Sequence, residues 1–525
     1  MDCPFPQKSL KSHKITLPHY MVMFIQQVKQ KKAMMKNTAT TRREFLRFSA
    51  GGFAASWAMF HVHALAEAMV PRSPLRLGVV SDIHIRNNGK TANNYVGGTT
   101  GTFRAALEYF RDKRVDAVVI AGDMADTGKI AELIRVGQTW QEVFPDCKGL
   151  DGTRVEPVFV YGNHDRYAWK WPLKGGAAKD AAKVAAAKKD AIGPIQAEAW
   201  KRAFGWDWQP VYSVKVKGYT FLCAHWGYEK DIPAYAAAHA AELDLHAARP
   251  FFCVQHPHPK GTLFSYWGKG AEDGGQLTEF LKDYPNAVSF SGHSHMSLTD
   301  DRSVWQGAFT AINTCTLLQI STPYGGEWQC VNSRRKDTTQ PRHMAATSRK
   351  GRQGMVVDVW PDRLEIERRE FVLGVSAGSV RSVPVPANPA NPVYGYATQA
   401  ARTTAPAFPV GACVAVTRRK GKNTKNQDED QIAVSFPAAV VAGEKGRVLL
   451  YEIEARLASG GEPIGTWRLA QELFFHPLDR IPTSAELVIG ADEVPTDRDV
   501  VYRVTPVGFF HRGEPIVAQV KGGKG

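Results

Sequence analysis

Five short motifs rich in Asp, Asn and His follow one another along the chain, each directly after a short apolar run. They are Asp82-Ile83-His84, Gly122-Asp123-Met124-Ala125-Asp126, Gly162-Asn163-His164-Asp165, Gln255-His256-Pro257-His258-Pro259 and Gly292-His293-Ser294-His295. Short apolar runs that stop abruptly at polar residues predict buried strands. The carboxyl ends of strands in an open α/β sheet share one crevice, so the five motifs can meet there.

The region from Leu75 to Phe371 alternates between strand and helix patterns, which predicts a layered α/β fold. The predicted strands are Leu75–Val80, Asp116–Ala121, Pro157–Tyr161, Val211–Val216, Tyr219–Ala224, Pro250–Val254, Ala287–Phe290, Gly354–Trp360 and Arg363–Phe371. The predicted helices are Thr102–Lys113, Lys129–Val143 and, in an Ala/Lys-rich insertion, Ala177–Ala191.

Composition changes after this region and predicts a second domain. Residues 374–395 are rich in proline, which predicts a linker, and residues 396–525 carry short β-like runs between Gly and Pro turns. This fits a small β-sandwich-like domain without a His/Asp cluster. The predicted domain boundaries are therefore 1–68, 69–373, 374–395 and 396–525.

The N-terminal extension predicts an export signal. Arg42-Arg43 precedes an apolar run from Phe48 to about Leu65, and small residues follow at Ala64-Leu65-Ala66. The paired arginines resemble the twin-arginine signal, which implies the twin-arginine export machinery as a partner and a periplasmic or secreted location reached in the folded state. The run is too polar for a stable membrane span, since a span needs about 20 strongly apolar residues. Met34 or Met35 would be a more natural start for such a signal.

The net charge of +15 does not indicate a nucleic-acid partner. Residues 1–68 alone carry +7 of it, and no basic run elsewhere is interleaved with aromatic residues. We therefore expect a small-molecule substrate and no nucleic acid.

The spacing within the motifs is suited to metal binding. Residues i and i+2 of an extended chain point to the same side, so Asp82 and His84 can face one ion, as can His293 and His295. Glycine before Asp123, Asn163 and His293 permits a sharp turn at the strand end. A mixture of imidazole and carboxylate ligands favours Fe, Mn or Zn over Mg or Ca.

The ordered motifs D-x-H, G-D-x-x-D, G-N-H-D, H and G-H-x-H resemble those of the calcineurin-like metallophosphoesterases, from about Leu75 to Phe371. The resemblance implies an α/β (α+β) layered sandwich, with two central mixed β-sheets flanked by helices. It also implies hydrolysis of phosphoester bonds by a hydroxide that bridges two divalent or trivalent metal ions.

Residue by residue, the resemblance implies seven metal ligands: Asp82, His84 and His295 on one ion, Asn163, His256 and His293 on the other, and Asp123 bridging both. His164 is similar to the family's histidine that stabilises the transition state or protonates the leaving oxygen. Asp126 resembles an acid that supports the site from behind its ligands. Asp165 is expected to orient His164 or to pack structurally.

Weaker candidates lie around these motifs. Arg166 and His225 are possible substrate contacts, with a surface ion pair and a structural histidine as the respective alternatives. His258 is expected behind the site or on the surface rather than among the ligands. The tryptophans Trp169, Trp171, Trp226 and Trp267 can form an aromatic rim or simply pack in the interior.

Three functions remain open at this level. The first is an exported phosphatase or phosphodiesterase for small phosphoesters. The second is a phosphodiesterase acting on nucleotides or nucleic acid, and the third is a non-catalytic metal-binding module. The presence of every ligand position of the motif pattern favours an enzyme over a silent module.

Overall fold

A computed structural model describes residues 75–86, 98–173, 175–321, 342–344, 351–422, 426–442, 447–470 and 482–523. The predicted export signal lies outside the described residues.

The strands, in chain order, are β1 (Leu75–Val80), β2 (Ala117–Ala121), β3 (Glu156–Val160), β4 (Val211–Val216), β5 (Tyr219–Ala224), β6 (Phe251–Val254), β7 (Ala287–Ser291), β8 (Val304–Gln306), β9 (Thr310–Asn313), β10 (Arg342–Met344), β11 (Gln353–Val359), β12 (Arg363–Glu370), β13 (Val375–Ser376), β14 (Arg381–Pro384), β15 (Ala415–Lys422), β16 (Asp428–Pro437), β17 (Val448–Leu457), β18 (Gly465–Ala470), β19 (Ser484–Gly490), β20 (Val500–Gly508) and β21 (Ile516–Val520). The helices are α1 (Thr99–Asp112), α2 (Ile130–Val143), α3 (Asn163–Tyr167), α4 (Ala181–Lys188), α5 (Gln196–Phe204), α6 (Ile232–Ala238), α7 (Ala240–Leu243), α8 (Gln276–Leu281) and α9 (Tyr396–Arg402).

Two mixed sheets form the α/β region. The first has the order β13-β12-β11-β1-β2-β3, with β14 also paired to β12. Its strands β1, β2 and β3 are parallel, whereas β11 is antiparallel to β1. The second has the order β4-β5-β6-β7-β9-β8, with β5, β6, β7 and β9 parallel. Parallel neighbours end at the same edge, which places the polar motifs after β1, β2 and β3 side by side, and likewise those after β6 and β7.

The two sheets pack face to face because their strands are apolar on both sides. Within β2, Val119 points into the core shared with Phe252 and Phe290 of the second sheet, while Val118 and Ile120 point to the opposite face. This alternation follows from the two-residue period of a strand. Such strands are buried on both faces and read as continuous apolar runs.

Helices cover the outer face of each sheet. Phe103 and Phe110 of α1 and Trp140 of α2 pack on the first sheet, and Ile232 of α6 and Leu277 of α8 pack on the second. The result is a helix–sheet–sheet–helix sandwich, so the predicted fold class is confirmed. Helix α4, in the predicted Ala/Lys-rich insertion, buries no residue.

The C-terminal region forms two further sheets, in the orders β10-β18-β17-β20-β21 and β15-β16-β19. Their inner faces share one apolar cluster that includes Val434, Leu487, Tyr451 and Val504. This is the small β-sandwich that the sequence predicts.

The proline-rich segment 374–395, predicted as a linker, contains β13 and β14. Both pair with β12, and Val383 is fully buried in the main core. Pro384 is tolerated because β14, among the described strands, pairs only with β12 and is therefore an edge strand, where proline is commonly found.

No helix among the described residues has both the length and the apolar character needed to cross a bilayer.

Helices α2 and α5 approach closely at Gly137, where a Cβ would overlap the backbone carbonyl of Ala203. We predict that Gly137→Ala lowers the free energy of unfolding by about 1–3 kcal/mol, because a backbone obstacle cannot rotate away. Urea denaturation measures the change. The matched control is Gly149→Ala, whose Cβ would meet no atom nearer than 3.5 Å. Equal stability of the two variants would contradict the close approach.

Candidate metal centre

The pairing of β1 with β2 continues past the strand ends into the motif loops. The amide of Asp82 donates to the carbonyl of Gly122 at 3.0 Å, and the amide of His84 donates to the carbonyl of Asp123 at 3.0 Å. The first two motifs are therefore held in register by backbone hydrogen bonds, which fixes their side chains independently of any ligand.

Five of the predicted metal-ligating residues have left-handed backbone angles. Their φ values are 49° for Asp82, 50° for His84, 51° for Asp123, 68° for His293 and 52° for His295. This conformation costs about 1 kcal/mol or more for a residue with a Cβ, although Asp and His tolerate it better than most. Such strain persists only where the surrounding structure holds it in place. The fold therefore fixes the directions of these five side chains.

The glycines of the motifs are required for two different reasons. Gly122 has a φ of 93°, which agrees with the predicted sharp turn. Gly162 is extended instead, and a Cβ there would overlap Oδ1 of Asp123. At Gly292 a Cβ would overlap Oδ2 of Asp82. These two glycines leave room for a carboxylate from another motif, so their role is close approach rather than turning.

The structure brings six of the predicted ligands and His164 together. Their ligand atoms form three overlapping groups, each within 4.8 Å: Asp82, His84 and His295; His84, Asp123 and His164; and Asp123, His256 and His293. Five of these seven residues are buried, and His164 and His293 are partly exposed. The motifs span more than two hundred residues of sequence, and both sheets contribute to the cluster.

Asp123 lies at the centre of the cluster. Its Oδ2 is 3.1 Å from Nε2 of His256, 3.7 Å from Nε2 of His84 and 4.0 Å from Nε2 of His164. Asp82 lies beside it, with Oδ1 3.0 Å from Nε2 of His295. The position of Asp123 between the two outer groups is that expected of a bridging carboxylate.

Backbone carbonyls orient the imidazole rings. Nδ1 of His256 lies 2.7 Å from the carbonyl of Ala121, and Nδ1 of His295 lies 2.9 Å from that of Gln319. A carbonyl only accepts, so each Nδ1 carries the proton, and in the neutral ring the lone pair of Nε2 faces the carboxylates. His293 is reversed, because its Nε2 lies 3.2 Å from the carbonyl of Gly270 and Nδ1 keeps the lone pair. Metal-bound histidines are held in this manner.

The donor set fits bound metal ions. The side-chain oxygen of Asn163 is buried and has no hydrogen-bond partner among the described residues. Nε2 of His84 and Nε2 of His295 are 3.3 Å apart. Nδ1 of His84 lies 3.2 Å from Oδ1 of Asp126, and Nδ1 of His295 lies 2.9 Å from the carbonyl of Gln319. When both protons are on Nδ1, the two Nε2 lone pairs face each other, and a cation would relieve their repulsion. Imidazole, carboxylate and amide oxygen together suit Fe, Mn or Zn.

The electrostatics of the cluster favour cations. Burial opposes ionisation of Asp82, but the imidazoles of His295 and His256 outweigh it and lower its pKa to about 2. Burial likewise opposes a charge on His256, yet Asp123 and Asp82 raise its pKa to about 9. Burial and the neighbouring His256 lower the pKa of His293 to about 3. Protons and metal ions therefore compete for the same lone pairs, and metal affinity rises with pH.

His164 sits at the edge of the cluster, with its side chain 14% exposed. Its Nδ1 donates to the carbonyl of Asp126 at 2.7 Å, so Nε2 faces Asp123. The carboxylate of Asp126 reaches a different histidine, with Oδ1 3.2 Å from Nδ1 of His84 and Oδ2 2.8 Å from Nε of Arg86. Asp126 thus orients two histidines, one through its backbone and one through its side chain.

Asp165 joins the second and third motifs. Its carboxylate accepts hydrogen bonds from the amides of Gly162, Met124 and Ala125 at 2.8, 3.2 and 2.7 Å. Burial and the nearby Asp123 raise its pKa to about 7. It contacts backbone rather than the ring of His164, which corresponds to the packing role among the two expectations.

The two possible substrate contacts have other partners. Arg166 donates to the carbonyl of Trp226, and its guanidinium lies 4.6 Å from the ring centroid of Tyr228. His225 is buried, accepts a hydrogen bond from the amide of Tyr161 at 2.8 Å and packs edge-on against Trp200. Arg166 therefore fastens α3 to the turn after β5, and His225 lies in the interior rather than on the pocket wall.

His258 is buried behind the cluster. Nδ1 lies 2.7 Å from Oγ of Ser291 and Nε2 lies 2.8 Å from Oγ of Ser294. Both ring nitrogens are engaged, so the structure places His258 behind the ligands.

Sequence reasoning missed the groups that orient the ligands. The carbonyls of Ala121, Gly270 and Gln319 have no side-chain signature and cannot be recognised from sequence. Sequence reasoning also missed Arg86, whose Nε donates to Oδ2 of Asp126 at 2.8 Å. The rule for extended chain does not predict this contact, because Asp82 and His84 have left-handed backbone angles.

Comparison with known proteins identifies the domain that carries this cluster. Residues 75–297 match the family model described as calcineurin-like phosphoesterase. This part of the chain is therefore a calcineurin-like phosphoesterase domain, as the motifs predict, and it contains all seven residues of the cluster. No curated protein matches the chain.

Solved structures are similar at low identity. A dimetal phosphatase from Danio rerio is 11% identical, with 59% of this chain and 99% of that one covered and a TM-score of 0.32. A purple acid phosphatase, PPD1, from yellow lupin (Lupinus luteus) is 14% identical, with 59% and 53% covered and a TM-score of 0.36. A phosphoesterase from E. coli is 12% identical, with 59% and 100% covered and a TM-score of 0.25.

Burial and the nearby Arg166 lower the pKa of His225 from 6.5 to about 3. Between these values the unfolded chain binds a proton that the folded protein does not, so stability falls as the pH falls below about 6.5. We predict that His225→Phe is less stable at pH 7, because the Tyr161 amide loses its acceptor, but flattens the pH dependence by up to about 1.4 kcal/mol per pH unit.

Urea denaturation at several pH values between about 7 and 5 measures this slope. The control is His246→Phe, which makes the same replacement at an exposed histidine and measures the effect of the substitution itself. An unchanged slope in His225→Phe would show that His225 is not the group responsible.

Proposed function

We propose that the domain hydrolyses phosphoester bonds with two metal ions, of Fe, Mn or Zn type. Asp82, His84 and His295 would hold one ion, Asn163, His256 and His293 would hold the second, and Asp123 would bridge them. The observation that carries the proposal is the central position of Asp123, whose Oδ2 faces the imidazoles of both outer groups.

The remaining support comes from preorganisation. Three histidines, His256, His293 and His295, present a nitrogen lone pair to the cluster because a backbone carbonyl accepts a hydrogen bond from the other ring nitrogen. Ligands fixed in this way do not need to reorganise when substrate charge develops, which is the condition for electrostatic catalysis. Bound metal ions would polarise phosphoryl oxygens and lower the pKa of a water molecule to near neutrality.

His164 is proposed to supply the proton for the leaving oxygen. Its Nδ1–H is held by the carbonyl of Asp126, so a second proton can reside only on Nε2. The carboxylate of Asp123, 4.0 Å from Nε2, stabilises that protonated ring. The proton is thus carried by a histidine that is partly exposed, where a substrate can reach it.

We predict that His164→Ala lowers kcat for an alkyl phosphoester by about 10²–10⁴-fold while metal content is retained. Asp123→Asn should lose both metal and turnover, because it removes the charge between the two ligand groups. Elemental analysis of the purified protein and a panel of phosphomonoesters and phosphodiesters measure these effects.

The control for both variants is His246→Ala, an exposed histidine outside the cluster. Wild-type turnover in both Asp123→Asn and His164→Ala would refute the assignment. Protein that binds metal but cleaves no ester would instead be a non-catalytic binding module, and cleavage of single-stranded DNA would favour a nuclease.

We also propose that the chain is exported through the twin-arginine route and acts outside the cytoplasm. The support is the sequence alone: Arg42-Arg43, the apolar run after it, and the small residues Ala64-Leu65-Ala66. The residues of the cluster come from both sheets, so a route that carries folded protein would preserve an assembled site.

Replacing Arg42 and Arg43 together by Lys should abolish export, because the signal depends on the arginine pair rather than on its charge. Fractionation of a bacterial host, with immunodetection of the precursor and the shortened form, measures the result. The matched control is Arg47→Lys, the same change outside the pair. Export of the double variant at the wild-type level would exclude this route.

A further inference from the structure

Three tryptophans contact the histidines of the cluster, and we call Trp171, Trp226 and Trp267 the aromatic rim. Each comes from a different connection: Trp171 from the turn at Ala168–Leu173, Trp226 from the turn after β5, and Trp267 from the residue before the turn at Gly268–Ala271. The rim is therefore built from loops, whereas the ligands stand on strand ends.

Trp171 lies beside the proposed proton donor. Its ring centroid is 4.4 Å from that of His164, with the two ring planes at 85°. The residue is 41% exposed, so part of its indole ring is open to a molecule bound beside His164. The neighbouring Trp169 is the opposite case, since it is 7% exposed and its Nε1 donates to the carbonyl of Arg166.

Trp226 and Trp267 contact the ligand side of the cluster. Their ring centroids lie 5.1 and 5.2 Å from that of His293, and both rings are partly buried. Both rings pack against ligand histidines and are less exposed than Trp171. Trp171 therefore has the most exposed indole ring of the rim.

If His164 protonates the leaving oxygen, as the proposed function states, the position of Trp171 indicates which part of the substrate it contacts. A group that protonates the leaving oxygen must lie within hydrogen-bond reach of it. Whatever is attached to that oxygen must then lie next to His164, the residue that Trp171 contacts. Aromatic rings pair favourably in offset or edge-to-face geometry, by about 0.5–1.5 kcal/mol beyond burial, which corresponds to roughly 2- to 13-fold.

We propose that Trp171 is a specificity-determining residue that selects phosphoesters whose leaving group carries an aromatic ring. The exposed indole binds the ring of the leaving group while His164 delivers the proton to the ester oxygen. The P–O bond to the leaving group breaks, water supplies the oxygen to phosphorus, and the leaving group departs as a neutral aromatic alcohol.

The test compares leaving groups of similar acidity. A difference in kcat/KM then reflects recognition of the leaving group rather than the intrinsic reactivity of the ester. Benzyl phosphate and ethyl phosphate form one pair, and their methyl diesters form the second. We expect wild-type protein to prefer the benzyl ester in kcat/KM. Trp171→Ala should reduce the benzyl-to-ethyl ratio by about 3- to 10-fold. Trp171→Phe should keep most of the ratio, since it keeps a ring.

The matched control is Trp360→Ala, a partly buried tryptophan on the β11–β12 hairpin whose ring lies 5.0 Å from the guanidinium of Arg363. We expect it to leave the ratio unchanged. A second readout does not depend on turnover: calorimetric titration of metal-loaded protein with benzylphosphonate and with ethylphosphonate. The preference for the benzyl compound should be lost in Trp171→Ala and kept in Trp360→Ala.

The outcomes separate the two proposals. Hydrolysis of both esters with a ratio that Trp171→Ala does not change overturns the selection by Trp171 and leaves the phosphoesterase proposal standing. Equal binding of the two phosphonates by wild-type protein likewise overturns it. Failure to hydrolyse any monoester or diester of the panel overturns the proposed function, and this inference with it.

Discussion

The architecture depends on two buried carboxylates of like charge held side by side. Asp82 and Asp123 have almost no exposed surface, and both have pKa values held low by the histidines around them despite burial. Buried charges are costly unless they are paired and hydrogen-bonded. The amide of His293 donates to Asp82, and that of His164 donates to Asp123, so each carboxylate is supported by a neighbouring motif. The positive charge of imidazolium or metal supplies the rest.

The backbone is arranged to allow this concentration of charge. Left-handed angles at the strand ends turn the ligands inward, and Gly162 and Gly292 leave space where carboxylates pass close to the main chain. Each of these features is unfavourable or neutral for stability alone. They persist because the surrounding sheets are packed by apolar strands that contribute most of the folding free energy. The apolar bodies of the strands thus provide the stability of the fold, whereas the ends of the strands carry the residues of the candidate site.

Much of this was predictable because the signals are local. The bounds of β1, β4 and β5 match the prediction, since each apolar run ends cleanly at polar residues or a turn. Ligand convergence follows from the parallel order of the strands. What the sequence could not indicate depends on tertiary pairing: β14 is a strand because β12 is beside it, and Gln319 contributes only a carbonyl. The burial of His225 is of the same kind, because aromatic residues from distant segments enclose it.

One further consequence follows from the hydrogen bond between Nδ1 of His256 and the carbonyl of Ala121. Ala121 ends a strand of the first sheet and His256 follows a strand of the second, so an ion held by His256 and Asp123 would cross-link two layers at their open rim. Such a metal cross-link would raise the free energy of unfolding. Once the site is saturated, the increase is proportional to the logarithm of the free metal concentration. Metal binding would then stabilise the packing of the two sheets, and the packing of the two sheets would in turn favour metal binding.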